Sequence, residues 1–441
     1  MEIMSLGHAG LQLSDTGTIG LVDPWFDPAG AYLAAWFPLP DNHHVFTPAR
    51  LAPDWVVLTG DGDDRCDPST LARIRRGTPT FVPAGNRRLT ARLRHTGLHV
   101  VEVPPSVTVK LDDDNRLAFL PTDDPAATAR SVALVVDRVS LLACAPSPPN
   151  GAHVHDIRST LPDAFDVVAV QVARPSRALV TNPSDPSSVR ERAAYARAVA
   201  VDEACASVRA AAASTVIPYG GPPCFLDPEL DHLNASIGSG MLPDLEQTAD
   251  LLRARLPQRR VISLLPGDRC FPTEDLVVDD PRWRDFSFVR LRTHLRDYAH
   301  SRAVDLSRAH SAFPDPDASL GRGLAASLAR LAPPRASLRD HVRFEVFGPG
   351  GGDWDVILDE RGVMVDLSGR ATAPAARVRI ASRWVAALVD GRVGWTEVLR
   401  SYRYSLRHAG TRDHDPLLDF LEQSDRGIVD AGTRSSAATA R

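Results

Sequence analysis

The hydrophobic pattern of the first half of the chain predicts many short strands. The first apolar runs are EIMSLGHAGLQLS and TIGLVDP, and later ones include WVVL, PTFVP, HVVEV, RLAFLP, ALVVD, VSLLAC and DVVAVQV. The Asp15-Thr16-Gly17 turn between the first two runs favours a hairpin. Helical stretches such as PSTLARIRR and NRRLTARLRH separate some of the later runs. Strands that first meander and then alternate with helices predict packed sheets covered by helices.

The second half of the chain changes character twice. After an alanine-rich helical stretch over 189–213, residues 276–335 are rich in proline, charge and aromatic side chains and predict a helical linking region. Over 336–425, the strand patterns VRFEVFG, DWDVILD, GVMVDL and ARVRIA precede the helical patterns SRWVAALVDG and WTEVLRSYRYSLR. This order predicts a separate α+β domain, and we expect the small, polar tail 426–441 to be disordered.

Composition narrows the class of protein. The chain has 441 residues, 44% of them hydrophobic, and a formal charge of -5. Its length predicts at least two domains, and its charge gives no reason to expect nucleic acid or an anionic membrane as a partner. No apolar run reaches the roughly 18 to 20 residues of a membrane span, and the N-terminus lacks the pattern of a signal peptide. The five cysteines are scattered, so we expect reduced thiols in a cytoplasmic protein. The bias towards arginine is typical of high-GC coding, so we expect a bacterial source.

Several motifs together resemble one family. They are GHAG near the start, LVDPWF, AWFPLP, the turn TGDGDDR after WVVL, and later YGGPPCFLD, MLPD and LLPGD. Over about residues 1 to 275 they resemble the metallo-β-lactamase superfamily, in particular its L-ascorbate-6-phosphate lactonase and CMP-N-acetylneuraminate hydroxylase branch. The resemblance implies an αβ/βα four-layer sandwich with its site on strand-end loops, here with an appended α+β domain. That C-terminal domain is vaguely similar to sterol-carrier-like domains, and a packing or oligomerisation module is the alternative.

The loop that holds zinc in this superfamily has changed here. The family pattern HxHxDH aligns with residues 60–65, GDGDDR, so that Gly60 and Gly62 replace histidines, Arg65 replaces the last histidine and only Asp64 matches. Glycine offers no donor atom, and Arg65 brings a permanent cation to a place where a cation should bind. We therefore expect no cofactor and no zinc at the ancestral site. Asp61, Asp63 and Asp64 are weak candidates for a hard cation such as Mg²⁺, and a solvated acidic turn that caps the next helix is the alternative.

The resemblance also directs attention to individual side chains near the expected pocket. Candidate catalytic residues are Asp64, His8 and Asp23, although the favoured alternative for His8 is a histidine satisfied by hydrogen bonds, and Asp23 is usually structural in the family. Candidate substrate-binding residues are Arg65, His43, His44, Trp36, Tyr219 and Asp268. A relocated metal could use His153 and His155, for which a surface or helix-start position is the alternative. Cys224 would need an adjacent base to act as a nucleophile, and the sequence places none nearby.

Three hypotheses of function follow. The first is a metal-independent enzyme of hydrolase ancestry that acts on a small molecule in bacterial specialised metabolism. The second is a non-catalytic protein that binds a small ligand, a partner protein or a second copy of itself through the pocket or the C-terminal domain. The third is a metal-dependent hydrolase with relocated ligands. The chain has no pair of Cys-x-His motifs, so the iron–sulfur chemistry of the hydroxylase branch does not carry over.

Overall fold

Most of the apolar runs and helical patterns in the sequence correspond to strands and helices in the structure. The computed structural model describes residues 1–124, 127–157, 161, 164–182, 185–329, 331, 340–359, 362–368, 374–408 and 417–422. The strands are β1 Glu2–Gly7, β2 Gly10–Ser14, β3 Ile19–Val22, β4 Trp55–Val57, β5 Pro79–Pro83, β6 His99–Val103, β7 Val109–Lys110, β8 Arg116–Phe119, β9 Val132–Val136, β10 Val139–Ala143, β11 Val167–Val170, β12 Thr215–Pro218, β13 Arg260–Val261, β14 Arg269–Phe271, β15 Leu276–Val278, β16 Asp340–Phe347, β17 Gly352–Asp359, β18 Gly362–Asp366, β19 Ala376–Ala381 and β20 Tyr404–His408. The helices are α1 Pro68–Leu71, α2 Arg87–Leu93, α3 Gly151–Asp156, α4 Pro186–Ala211, α5 Leu245–Arg255, α6 Leu291–Ser301, α7 Ala303–Ser311, α8 Gly321–Leu328, α9 Ser382–Val389 and α10 Trp395–Arg400.

Two sheets form the first domain. The first has the strand order β15-β14-β1-β2-β3-β4-β5-β6, and the second has the order β13-β12-β11-β10-β9-β8-β7. The hairpin predicted at Asp15-Thr16-Gly17 is confirmed, because β2 and β3 pair antiparallel across it. The single strand predicted over EIMSLGHAGLQLS is wrong: Gly7 and His8 have φ angles of 88° and 49°, and they reverse the chain between β1 and β2. This reversal places His8 in a turn at the end of the sheet.

The two sheets pack face to face, and helices cover their outer faces. One core cluster joins inward side chains of both sheets, among them Leu13, Trp55, Phe119, Leu141 and Ile217. A second cluster lies between the first sheet and the segment of α1 and α2, and a third lies between the second sheet and α3, α4 and α5. This layering confirms the αβ/βα four-layer sandwich predicted from the sequence. The central strands consist of near-continuous Val, Leu and Ala runs. They can therefore be buried on both faces, one against the other sheet and one against the helices.

The C-terminal sheet differs from its prediction at one place. It has the order β18-β17-β16-β19-β20, and α9 and α10 pack on it. The helix predicted over WTEVLRSYRYSLR is wrong in its second half, where β20 pairs antiparallel with β19. The chain leaves α10 through Tyr402, whose φ angle of 57° cannot continue a right-handed helix. The alternation in YSLRH, with Tyr404 and Leu406 buried, then favours a strand.

Hydrophobic contacts join the C-terminal domain to the sandwich. Its core cluster includes Trp25, Tyr32, Trp36 and Phe225 of the first domain together with buried residues of β16, β19, α9 and α10. Helices α6 and α7 of the linking region pack instead on the sandwich, through Leu295, Tyr298 and Leu306. The two domains therefore share one continuous core, although the predicted limits at 275 and 335 and the sterol-carrier likeness remain predictions. The predicted disordered tail, 426–441, lies outside the described residues.

A buried guanidinium adds a polar link across this interface. Arg403, which precedes β20, donates from Nη2 to Oδ2 of Asp227 at 2.6 Å and from Nη1 to Oε2 of Glu229 at 3.1 Å. His310 of α7 lies 2.5 Å from the same Asp227 oxygen, and the guanidinium stacks 4.6 Å from the ring of Trp384. Arg403 and Asp227 have fully buried side chains, so each charge depends on the other for compensation.

None of the helices in the described part of the chain has the length and hydropathy needed to cross a bilayer.

We predict that Asp227→Asn lowers the free energy of unfolding by about 3 kcal/mol, because it leaves the buried Arg403 cation with only the half-exposed Glu229 as a counter-charge. The matched control is Asp202→Asn, which removes an exposed ion pair with Arg255 and should cost less than about 1 kcal/mol. Urea unfolding of both variants checks the difference. Equal losses in the two variants would show that the buried pair does not stabilise the interface.

Candidate functional site

Four loops at one edge of the sandwich meet around a cavity. The turn between β1 and β2 carries His8, the loop after β3 carries Asp23, the loop 31–36 carries Tyr32, and the loop after β4 carries Asp64 and Arg65. The cavity has a volume of about 340 Å³, and its lining includes His8, Tyr32, Trp36, Asp64, Arg65 and Arg400. Several residues that the sequence singles out are thus brought together.

Arg65 lines the cavity and forms a buried ion pair with Asp23. Its Nη1 donates to Oδ2 of Asp23 at 2.7 Å and to Oγ1 of Thr59 at 2.8 Å. Asp23 also accepts from the Thr59 amide at 2.7 Å and from the Thr59 hydroxyl at 2.5 Å. Burial raises the pKa of Asp23 despite the opposing effects of Arg65 and Thr59. Only 4% of the Arg65 side chain is exposed, so its charge chiefly neutralises Asp23.

Asp64 is held as a carboxylate by two neighbours. Its Oδ2 lies 3.0 Å from Nε2 of His8, and its Oδ1 accepts from the Tyr32 hydroxyl at 2.5 Å. Burial alone would raise the pKa of Asp64, but the hydrogen bond with His8, the nearby charge of Arg65 and the hydrogen bond from the Tyr32 hydroxyl together lower it well below its usual range. Asp64 therefore cannot donate a proton near neutral pH.

Only one of the two ring nitrogens of His8 has a hydrogen-bond partner among the described residues. Its Nε2 meets Asp64, whereas Nδ1 is buried and makes no hydrogen bond with the described residues. The edge of the imidazole packs against Trp25, with ring centroids 5.2 Å apart. A carboxylate at Nε2 favours the tautomer with the proton on that nitrogen, which leaves a lone pair on Nδ1.

The loop that presents Tyr32 has an unusual backbone. Tyr32, Leu33 and Ala34 all have left-handed conformations, with φ angles of 51°, 62° and 58°. Such conformations are unfavourable for L-residues, so outside contacts must hold them. Oδ2 of Asp63 accepts from the Tyr32 amide at 2.9 Å, and Arg403 of the C-terminal domain donates to the Leu33 carbonyl at 2.8 Å. Both domains therefore fix the position of the Tyr32 hydroxyl.

The acidic turn is buried and neutralised by arginines, so the solvated turn considered from the sequence is wrong. Arg92 lies 2.7 Å from Oδ1 of Asp63 and also donates to the Asp61 carbonyl at 3.0 Å. Asp67 caps α1 by accepting from the Ser69 amide at 3.0 Å, as predicted. Burial raises the pKa of Asp67 to about 6. The carboxylates of the turn are thus engaged by protein groups.

The two glycines of the zinc-loop pattern have no room for side chains. A Cβ at Gly62 would lie 2.5 Å from the Tyr32 hydroxyl and 2.6 Å from Oδ1 of Asp64. A Cβ at Gly60 would lie 2.7 Å from the Cβ of Ala129 and from the Thr128 carbonyl. A side chain at either glycine would therefore require neighbouring atoms to move.

The C-terminal domain contributes to the cavity, which the sequence did not predict. Leu399, Arg400, Tyr402 and Glu422 all line it. Arg400, the last residue of α10, lies 3.3 Å from the Tyr32 hydroxyl, to which its Nη1 donates. No local pattern near these residues could have revealed a partner more than three hundred residues away in sequence.

The remaining predicted binding residues divide between the cavity and its surroundings. Trp36 lines the cavity, whereas Tyr219 lies beside it and donates to the Cys144 carbonyl at 2.8 Å. Asp268 accepts from the amides of Leu265 and Asp280, and burial raises its pKa to about 6. His43 is exposed, and His44 lies 3.0 Å from the Pro266 carbonyl in the same outer loop as Asp268.

Two further alternatives from the sequence lie outside the cavity. His153 and His155 belong to α3, and His153 lies 3.5 Å from the exposed Asp123. Burial raises the pKa of the Cys224 thiol, whose Sγ lies 3.7 Å from the Pro38 carbonyl. Within the described ranges, no group of three His, Cys, Asp or Glu side chains is placed to hold a metal ion.

The curated relatives are longer than this chain and are named as iron–sulfur proteins. No family model matches the chain. A protein of Mycolicibacterium smegmatis named as a Rieske 2Fe-2S iron–sulfur protein is 28% identical over 328 residues, which cover 70% of this chain and 61% of that protein. A protein of Mycobacterium tuberculosis with a similar name is 29% identical over 286 residues, or 60% of this chain and 53% of that one. The chain thus spans between one half and two thirds of the length of these relatives.

Among solved structures, similar chains carry the metallo-β-lactamase fold. CmlA, a diiron β-hydroxylase from Streptomyces venezuelae, has a TM-score of 0.39 and 17% identity, covering 63% of this chain and 54% of its own. YhfI from Bacillus subtilis has a TM-score of 0.41 and 12% identity, covering 61% of this chain and 98% of its own. With its two facing sheets and outer helices, the first domain has the αβ/βα sandwich that the resemblance to the metallo-β-lactamase superfamily implies. The lactonase and hydroxylase branch within that superfamily remains a prediction.

We predict that Gly62→Ala destabilises the protein by about 1 to 3 kcal/mol, because the added methyl group overlaps the Tyr32 hydroxyl and the Asp64 carboxylate. Gly17→Ala is the control, since a Cβ there meets nothing within 4 Å. Combining Gly62→Ala with Tyr32→Phe should cost less than the sum of the two single changes, because the phenylalanine removes one of the overlapping oxygens. Strict additivity in thermal or urea unfolding would contradict this account of the filled loop.

Proposed function

We propose that the chain is a metal-independent relative of the hydrolases of this fold, with a small-molecule substrate bound in the cavity. The observation that carries the proposal is the use of both Asp64 oxygens by His8 and Tyr32 in a loop where Gly62 has no space for a side chain. A metal ion would have to displace these contacts and accept the buried Arg65 cation as a neighbour.

The zinc that the fold family implies does not fit this loop. Zinc sites need several imidazole, thiolate or carboxylate donors around one point. Of the aligned positions 60, 62, 64 and 65, only Asp64 offers a donor, and Arg65 is already paired with Asp23. The described residues offer no support for the hypothesis of relocated ligands, since they bring no such set together.

In the proposed reaction, His8 is the proton acceptor. Asp64 stays ionised, so it orients the imidazole through Nε2 and stabilises the imidazolium that forms when Nδ1 accepts a proton. Burial and the nearby Asp64 charge raise the pKa of Tyr32 well above its usual value, so its hydroxyl keeps its proton and continues to hold Asp64. Hydrolysis would follow if Nδ1 takes a proton from a water molecule as that water attacks the substrate.

A second candidate function is ligand binding without turnover. Only 2% of the His8 side chain is exposed, which favours a structural role for the imidazole unless a ligand reorganises the cavity. In that case the cavity serves recognition alone. The two candidates differ in whether His8 affects a rate or only stability.

We predict that the protein hydrolyses p-nitrophenyl acetate in the presence of EDTA and that His8→Gln lowers the rate about 100-fold or more, the usual contribution of a positioned general base. His43→Gln, at an exposed histidine, should leave the rate unchanged. Release of p-nitrophenol, with circular dichroism to verify folding, checks both variants. A folded His8→Gln variant that retains the full rate would reject His8 as the base, and absence of turnover in the parent protein would favour binding alone.

We further predict that the protein, purified without a histidine tag and dialysed, holds zinc, iron and manganese far below one equivalent per chain. The physical reason is that Asp64 is the only donor among the four aligned ligand positions, and both of its oxygens are already engaged by His8 and Tyr32. Inductively coupled plasma mass spectrometry measures the metal content. One or two bound equivalents that EDTA removes together with the esterase activity would overturn the metal-independent proposal.

A further inference from the structure

Arg400 is a cation that the C-terminal domain places in the wall of the cavity. It ends α10, whose packing on the third sheet fixes its position. Its side chain is 27% exposed, in contrast to the 4% of Arg65. A Cβ at Gly62 would lie 3.5 Å from Nη1 of Arg400, so this cation borders the loop that corresponds to the zinc loop. A ligand in the cavity would meet Arg400 more readily than Arg65.

The hydrogen bonds of Arg400 are long. Nη1 donates to the Tyr32 hydroxyl at 3.3 Å, Nη2 to Oγ1 of Thr128 at 3.3 Å, and Nε to Oε1 of Glu422 at 3.4 Å. Charge-assisted hydrogen bonds between a guanidinium and a carboxylate are usually about 2.7 to 2.9 Å. Glu422 makes its shorter contact, 2.5 Å, with Arg177. The guanidinium of Arg400 is therefore weakly held by its present partners and has donors to offer to a stronger acceptor.

The other charges near Arg400 are already balanced. Asp64 is engaged by His8 and Tyr32, Arg65 is neutralised by Asp23, and Glu422, which lies 3.4 Å from Nε of Arg400, is also paired with Arg177. An anion that approached Arg400 would thus meet a carboxylate at Asp64 whose two oxygens are both engaged in hydrogen bonds. This arrangement lowers the repulsion that an isolated buried carboxylate would exert.

Next to the cation lies an apolar, aromatic wall. The rings of Trp36 and Tyr402 are 5.8 Å apart, and Leu399 lines the cavity with them. Aromatic rings bury a large apolar area at a low cost in side-chain entropy. A cavity with one cation beside such a wall fits a small molecule that has an oxyanion at one end and an apolar or aromatic body.

We infer that Arg400 is a specificity-determining residue that binds the carboxylate or phosphate group of a small organic ligand whose apolar body packs on Trp36 and Tyr402. The inference rests on the proposed function to the extent that the same cavity holds the substrate. It assigns the appended domain a role in recognition: the sandwich supplies His8 and Asp64, and the C-terminal domain supplies the anion contact.

The test compares benzoate with benzamide, which has the same ring but no charge. Binding to the full chain is measured by isothermal titration calorimetry for the parent protein, Arg400→Gln and Arg407→Gln. Arg407 is an exposed arginine on β20 of the same domain and serves as the charge-matched control. We expect Arg400→Gln to weaken benzoate about tenfold or more, as the loss of a charge-assisted contact implies, and to change benzamide less than about twofold. Arg407→Gln should change neither.

Equal weakening of benzoate and benzamide by Arg400→Gln, or no weakening of benzoate, would overturn the inference, as would a parent protein that does not bind benzoate. If Arg400→Gln fails to fold, competition in the parent protein decides: inorganic phosphate should displace benzoate, and persistence of benzoate binding in excess phosphate contradicts an anion site. Trp36→Ala separates this inference from the proposed function. If that variant loses benzamide binding while Arg400→Gln leaves benzoate unaffected, the cavity remains the ligand site and only the anion contact is rejected.

Discussion

The site depends on the contacts of the buried Arg403 guanidinium. This guanidinium neutralises Asp227, stacks on Trp384 and donates to the carbonyls of Leu33 and Ala34. These carbonyls belong to the left-handed turn that Tyr32 begins, a conformation that L-residues do not hold without support. Because Tyr32 then fixes one oxygen of Asp64, a side chain of the C-terminal domain determines the arrangement of the loop in the first domain.

The electrostatics of the cavity follow one rule, which is that each buried charge has a protein partner. Asp23 is paired with Arg65, Asp63 with Arg92, and Asp64 with His8. A metal site works in the opposite way, because its carboxylates need the ion to compensate their charge. In this chain, Arg65 and Arg92 compensate the charges of Asp23 and Asp63.

The sequence predicted much of this fold, because strands, helices and turns are specified by residues close to one another in the chain. Apolar alternation and turn residues specify strands and hairpins through neighbouring positions, and the aligned zinc-loop pattern identified the position of Asp64 and Arg65. The environment of Asp64 was beyond such reasoning. Tyr32 reaches it only through three consecutive left-handed residues, none of them glycine. Arg400 reaches Tyr32 from a different domain. Contacts of this kind depend on how distant elements pack, and no periodicity in the sequence encodes them.

The crowded space around Gly62 limits which substitutions the chain can accept at this position. A Cβ there would lie 2.5 Å from the Tyr32 hydroxyl and 2.6 Å from Oδ1 of Asp64, and it would also lie 3.5 Å from Nη1 of Arg400 in the C-terminal domain. A larger residue at position 62 therefore requires compensating changes in both domains, so the two domains are constrained to vary together at this point.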